Sequence, residues 1–298
     1  MAFLSATPNA PNTHVIAVVT FPDFNPVLLQ MGPIAIRWYA LAYIAGILLG
    51  WAYGRRLLAT PKLWGVSGPP LSGLQLDDLV LWITTGIIVG GRLGYVVFYE
   101  PALVWRAPLE ILQVWHGGMS FHGGLIGVSA ALVVFARRSG ANLLRLGDLV
   151  APCAPLGLLF GRLANFINGE LWGRVTTEPW GMVFCNARLK TAYGGVCPAG
   201  LLPRHPSQLY EAALEGFVLF LILRWATHRR LWLDRPGAVM GLFLAAYGCG
   251  RIALENLRNP DLGMPTFPLG LTMGMMLSAP LVLAGIWLMA RARSPAGS

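Results

Sequence analysis

Near the middle of the chain, the stretch GRLANFINGELWGR at residues 161–174 sets Arg162, Asn165, Asn168 and Glu170 at the end of a long apolar run. A second apolar run ends in Arg251, Glu255 and Arg258, and a third opens on His122 inside HGGMSFHGGL. Ionisable groups at membrane depth cost about 2.5–3.5 kcal/mol each on insertion scales, so this concentration demands a compensating interaction. Two readings meet the demand. In one, Arg162 and Arg251 snorkel or form buried ion pairs, with Glu170 or Glu255 as partners. In the other, two guanidiniums face one amphiphilic cavity and hold a phosphate, because each offers a planar fork of donors and keeps its charge at any accessible pH. A phospholipid headgroup is the obvious phosphate at that depth. Asn165 and Asn168 follow on the same helical face as Arg162, and Gly169 and Gly173 then let the chain turn away. His122 is either a hydrogen-bonded structural residue or a base, and its level beside two arginines favours the base.

Other constellations carry less. Ser207 and His205 in LPRHPSQLYEA suggest a hydrolase only as near neighbours, without a third partner or a G-x-S-x-G elbow. With Arg204, Gln208, Tyr210 and Glu211 they read as a polar lead-in to a helix, Pro206 suiting its first turn. No H-E-x-x-H pair or C-x-x-C cluster points to a metal, and no cofactor is implied. GGRLG at 90–94 is too short and too deeply embedded for a nucleotide loop, and Arg92 is expected to neutralise a neighbour. His116 repeats the HGG pattern and is assigned a structural role. Cys153 and Cys249 read as small buried hydrophobes. Cys185 and Cys197 share one polar loop, where an oxidising compartment permits a disulfide, and the sequence leaves the pairing open.

The elements that position these groups follow from composition. The 298 residues are 55% hydrophobic and 12% charged, with a mean hydropathy of +0.59, so the expected solvent is the bilayer. Apolar segments at about 38–56, 78–99, 120–136, 148–166, 207–226, 238–256 and 270–290 are long enough to cross hydrocarbon as helices. The expected fold is all-α: a single polytopic membrane domain over residues 1–298, with seven transmembrane helices. No Lys or Arg precedes Arg37, so the first span is expected to be retained rather than cleaved as a signal peptide. The formal charge of +9 is not gathered on a polar domain, which argues against nucleic acid as a partner. Instead basic residues follow the first, third, fifth and seventh spans: Arg55, Arg56 and Lys62; Arg137, Arg138 and Arg145; Arg229, Arg230 and Arg235; Arg291 and Arg293. The positive-inside rule makes those ends cytoplasmic, the N-terminus periplasmic and the C-terminus cytoplasmic. Residues 167–206 then form a periplasmic loop, and Tyr39, His122, Arg162 and Arg251 share the outer level. Segment 100–119, interrupted by Arg106, Glu110 and His116, is expected at the outer interface.

Taken together, the blocks resemble one family. GRLANFINGELWGR is similar to the signature of bacterial prolipoprotein diacylglyceryl transferases, and FPDFNPVLLQMGPIAIRWYALAY, GGRLGYVVFY, GGMSFHGGLIG, LPRHPSQLYEA and YGCGRIALENLRNPD agree in order and spacing. The likeness begins near residue 20 and ends near 291. It departs at Ala164, where glycine is usual, and at Arg37, where some members carry histidine. The resemblance implies transfer of the diacylglyceryl group of phosphatidylglycerol to the thiol of a prolipoprotein's lipobox cysteine, with release of glycerol phosphate, at the periplasmic face of the inner membrane. It implies that His122 is the essential histidine, that Arg162 and Arg251 bind phosphate, and that Tyr39, Asn165, Glu170 and Gly173 are needed for activity. Tyr247, Glu255 and Arg258 match further positions for the lipid. The partners so implied are phosphatidylglycerol, a prolipoprotein signal peptide and membrane lipid.

The chemistry fits these groups. Thioether formation needs a thiolate and a stabilised phosphate leaving group, which a base and two guanidiniums supply. A headgroup transporter is the competing reading, opposed by the absence of internal repeats and by polar groups gathered on one side. A scaffold held by structural ion pairs is the third, and it leaves His122 and the long loop unexplained.

Overall fold

Backbone polar groups removed from water must pair within their own segment, and each apolar run is accordingly helical. The computed structural model describes residues 19–32, 34–114, 117–259 and 267–293. Two strands, β1 (Val19–Thr20) and β2 (Val27–Met31), precede β3 (Ile34–Arg37), which pairs antiparallel with β2 and runs directly into α1 (Trp38–Leu58). Next come α2 (Gly73–Phe98), the short α3 (Leu103–Arg106), α4 (Phe121–Ser139), α5 (Leu143–Val150) and α6 (Ala154–Asn168). After β4 (Met182–Val183) and α7 (Ala187–Ala192), α8 (Ser207–Glu211) passes through a π-helical segment at Ala212–Val218 into α9 (Leu219–His228). Helices α10 (Ala238–Glu255) and α11 (Met273–Arg291) complete the chain.

Among the described residues, α2, α10 and α11 are long and apolar enough to cross a membrane, and α5 with α6 makes a fourth if that bent pair is one span. The pair bends by 44° where Pro152 removes a backbone donor and Pro155 begins the next helix. The chain is thus a mostly helical membrane protein. The described part of segment 100–119 holds no long helix: the four-residue α3 and a 3₁₀ turn at Pro108–Leu112 expose Trp105, Leu109 and Leu112. His116 lies outside the described residues.

The three most extensive helix pairings are α2 with α4, α10 with α11, and α1 with α6. In the first, Gly86, Gly90 and Gly94 face Gly123 and Gly127. A Cβ on Gly94 would stand 2.6 Å from the Gly123 Cα, and one on Gly90 2.8 Å from the Gly127 Cα. Small residues at this spacing let backbones touch, the usual basis of helix association where lipid tails are as apolar as leucine.

Helix α10 starts without a capping side chain of its own. Asp148 of α5, fully buried, supplies one from elsewhere: its Oδ2 accepts from the Gly237 N–H at 2.6 Å and its Oδ1 from the Met240 N–H at 2.8 Å. Asp148→Ala is expected to cost about 1–3 kcal/mol through unpaired buried donors, read as a lower unfolding midpoint in detergent.

A second, smaller core forms beyond the end of α6. Phe21, Met182, Phe184, Leu189 and Ala199 cluster there, with Phe166 and Trp172 against them. Strand β1 pairs parallel with β4, and a Cys185–Cys197 disulfide closes the loop that carries α7. Arg188 of α7 donates to the last carbonyls of α6, at Ile167 and Asn168. Of the remaining cysteines, Cys153 is half-buried, and Cys249 is exposed on the bundle exterior instead of buried as composition suggested.

Candidate functional site

Helix α6 ends in a left-handed turn at Gly169, whose N–H bonds the Phe166 carbonyl while Glu170 N–H bonds that of Asn165. The turn is fixed from α8. Ser207 Oγ donates to the Leu171 carbonyl at 3.0 Å, and Gln208 Nε2 donates to the Glu170 carbonyl at 2.6 Å. Ser207, fully buried, is therefore a brace and has no nucleophile's geometry. Gly173 then threads between two backbones: its N–H bonds the His205 carbonyl at 2.8 Å, and a Cβ there would sit 2.7 Å from both the His205 Cβ and its carbonyl oxygen. Gly173→Ala is expected to destabilise by about 1–3 kcal/mol through overpacking, measured by thermal unfolding of the purified variant.

Two turns before the bend at Gly169, Arg162 enters a network of charges. Its Nε lies 2.8 Å from Glu211 Oε2 and its Nη2 3.5 Å from Glu215 Oε2. From α10, Arg251 Nη2 lies 2.8 Å from Glu255 Oε2, and its Nη1 approaches Glu211 Oε1 at 4.0 Å. Glu211 is thus shared by both arginines. The carboxylates are sealed in, with Glu211 1% and Glu215 0% exposed at the side chain, while Arg162 and Arg251 keep 15% and 13%. Among the described residues, Arg251 Nη1, Glu211 Oε1 and Glu215 Oε1 have no hydrogen-bond partner. Tyr247 sits among these four side chains, close enough to interact electrostatically with each. Glu255 is backed by α11, where Gly274 leaves room that a Cβ, 2.7 Å from Oε2, would fill.

Sequence reasoning placed Glu170 among the partners of these arginines. Asn165 Nδ2 holds it at 2.8 Å and Asn168 Nδ2 at 3.5 Å, with Tyr39 of α1 beside Asn165 and Glu170. The arginine partners are instead Glu211, Glu215 and, as expected, Glu255. Glu215 escaped attention although a signal existed: it lies four residues after Glu211 inside an apolar span, where an acid carries the same cost as an arginine.

Arg258 is buried where α10 ends, and its carbonyl accepts from Arg174 Nε at 3.0 Å. His122 is exposed in the first turn of α4, whose main partner is α2. It belongs to a different helix pair from the arginines. Among the described residues Arg92 has no acidic partner: its guanidinium binds backbone carbonyls.

The arrangement therefore offers two partly exposed arginine side chains on helices α6 and α10, which both pack against α8, braced by carboxylates and next to an amide–carboxylate–phenol group. Such a set can bind a phosphate and balance charge that grows on it. Comparison with known proteins gives the same direction. The model of the prolipoprotein diacylglyceryl transferase family matches residues 26–291. A phosphatidylglycerol–prolipoprotein diacylglyceryl transferase of Phenylobacterium zucineum is 62% identical over 91% of this chain and 93% of its own. Proteins of the same name from Caulobacter vibrioides and Rhizobium meliloti are 60% and 48% identical, over 90% and 95% of this chain and 93% and 97% of theirs. A match of this extent, running through every segment that builds the charged cluster, places the chain in the prolipoprotein diacylglyceryl transferase family.

Proposed function

We infer that this chain transfers the diacylglyceryl group of phosphatidylglycerol to a prolipoprotein, the first step of lipoprotein maturation, and that the acceptor is the thiol of the lipobox cysteine. The observation that carries the site assignment is the sharing of Glu211 by Arg162 and Arg251, which brings two guanidiniums from separate helices to one place, with part of each arginine side chain still exposed. Sulfur attacks the glycerol carbon that bears the phosphate. A C–S bond forms, the C–O bond to phosphate breaks, and glycerol phosphate leaves. The thiol proton passes to His122, the candidate base. Negative charge gathers on the phosphate oxygens as the bond breaks, and Arg162 and Arg251 balance it.

Before lipid arrives, two guanidiniums face three carboxylates, Glu211, Glu215 and Glu255. The glutamates keep the arginines from collapsing onto other groups and hold them near the geometry a phosphate needs. A buried charge pair of this kind contributes orientation more than stability. Asn165, Glu170, Tyr39 and Tyr247 line the approach, Gly173 and Arg258 fix the wall behind it, and Glu255 and Arg258 belong to the lipid's side.

The reading includes one membrane domain of seven spans in the inner membrane, the N-terminus and loop 167–206 periplasmic and the C-terminus cytoplasmic. Support comes from the ends opposite the charged cluster. There Arg55 stacks on Trp51, Arg138 on Trp82, Arg230 on Trp225 and Arg291 on Trp287, at 4.7–5.5 Å from ring centroid to guanidinium carbon. Arginine and tryptophan at helix ends are interfacial anchors, and their basic excess marks the cytoplasmic side.

Incubation of the purified protein with phosphatidylglycerol and a lipobox peptide, followed by mass spectrometry of the peptide, tests the activity. A diacylglyceryl adduct on cysteine is the expected result. Lipid binding without any adduct would favour a headgroup carrier instead.

A further inference from the structure

Arg92 is a buried arginine whose guanidinium, 5.7 Å from the Tyr95 ring centroid, donates its described hydrogen bonds to backbone carbonyls. It lies in α2, 6% exposed, one turn below the aromatic end of that helix. Its Nε donates to the Ile111 carbonyl at 2.9 Å, its Nη1 to those of Gly117 at 2.6 Å and Gly118 at 3.2 Å, and its Nη2 to that of Glu110 at 2.5 Å. A guanidinium offers five donors in a rigid plane, so four carbonyls gathered on it are fixed in position relative to one another.

Those carbonyls are not scattered. Glu110 and Ile111 lie in the 3₁₀ turn that ends the interfacial segment, and Gly117 and Gly118 lie just before the N-cap of α4. Arg92 therefore ties both ends of one loop to α2. The glycines make the fit possible: Gly117 and Gly118 have φ of +87° and +74°, and a Cβ on Gly118 would lie 2.8 Å from Arg92 Nη1 and 2.6 Å from the Tyr95 ring. A further link follows at once, since Ser120 N–H bonds the Gly91 carbonyl at 2.8 Å while Ser120 Oγ accepts from the Gly123 N–H at 3.2 Å. His122 follows the second of these anchors by two residues, in the first turn of a helix already pressed against α2 through paired glycines.

The geometry points to Arg92 as a positioning residue for the transfer reaction: through the loop carbonyls it sets the height and rotation at which α4 begins, and so where His122 presents its ring. This rests on the reading of His122 as the proton acceptor. Arg162 and Arg251 belong to α6 and α10 and do not depend on this loop, so loss of the clamp should slow the chemical step and leave lipid binding alone. A displacement of about 1 Å at a reacting group can cost about 10²-fold in rate.

The test uses the full-length protein in lipid nanodiscs, as wild type, Arg92→Lys, Gly118→Ala and His122→Gln. Lysine keeps the charge but cannot span four carbonyls, and the alanine keeps the arginine but crowds its Nη1 and the Tyr95 ring. For folded Arg92→Lys and Gly118→Ala, kcat should fall about 10²-fold with KM for phosphatidylglycerol unchanged. Carbethoxylation of His122 by diethyl pyrocarbonate, mapped by mass spectrometry against His228 as internal standard, should change in rate in both. Normal kcat in a folded Arg92→Lys protein overturns the inference, as does a parallel loss of kcat and lipid binding with a lowered unfolding midpoint, the mark of a general lesion. If His122→Gln itself turns over normally, the reading of His122 has failed. If His122→Gln is inactive while both clamp variants are fully active, that reading stands and only the role of Arg92 falls.

Discussion

Arg162→Ala is expected to abolish lipid retention and group transfer together. The side chain contacts two buried carboxylates, Glu211 at 2.8 Å and Glu215 at 3.5 Å, and its removal leaves both without their main counter-charge. Breaking one side of a buried ion pair costs about 3–5 kcal/mol, so part of the effect appears as a lower unfolding midpoint. The catalytic loss is separate. Removing one preorganised donor to a developing oxyanion costs about 10²–10³ in rate, and here the same donor also binds the ground-state phosphate. Arg162→Lys separates the two effects: an ammonium restores charge at a point but cannot bridge Glu211 and Glu215 while facing outward, so stability should recover more than turnover. Phosphatidylglycerol co-purifying with each variant, with initial rates on a lipobox peptide, gives the readout.

His122→Gln is expected to behave differently, with lipid still bound and transfer lost. The residue lies on α4, packed mainly on α2 and not part of the helix pairs that carry the arginines. Glutamine keeps hydrogen-bonding capacity and removes basicity. General-base assistance contributes about 10²–10⁴-fold, and a cysteine thiol of ordinary pKa about 8.5 is mostly protonated at neutral pH. Rate against pH decides how the proton leaves. Dependence on His122 predicts a rising limb in the wild type that the variant lacks. A variant with normal rates and the same profile would mean that the two guanidiniums acidify the thiol unaided.

The sequence made some of this architecture legible and hid the rest for identifiable reasons. Each apolar run is a helix because hydrocarbon leaves the backbone no alternative, and Arg162, Asn165, Glu170 and Gly173 were recognisable because costly groups in a greasy context need a cause. Partner identity was not legible. Glu211 reaches both Arg162 and Arg251 from α8, which packs on both α6 and α10, and the rotation of one helix against another is not written in local spacing. Asp148 capping α10 across the bundle is hidden for the same reason. Arg92 looked like half of an ion pair because carbonyls have no residue type to recognise. The outer core was seen as a loop, since its aromatic residues Phe21, Phe166 and Phe184 are spread along more than half the chain and meet only in three dimensions.

The central claim is that Arg162 and Arg251 act on one phosphate. A double-substitution cycle on phosphatidylglycerol binding tests it most directly, with wild type, Arg162→Ala, Arg251→Ala and the pair titrated in nanodiscs of zwitterionic lipid. Sharing of a single phosphate predicts strong coupling, each single change removing nearly as much affinity as the two together. Independent losses that simply add, or singles that bind as tightly as wild type, would contradict it.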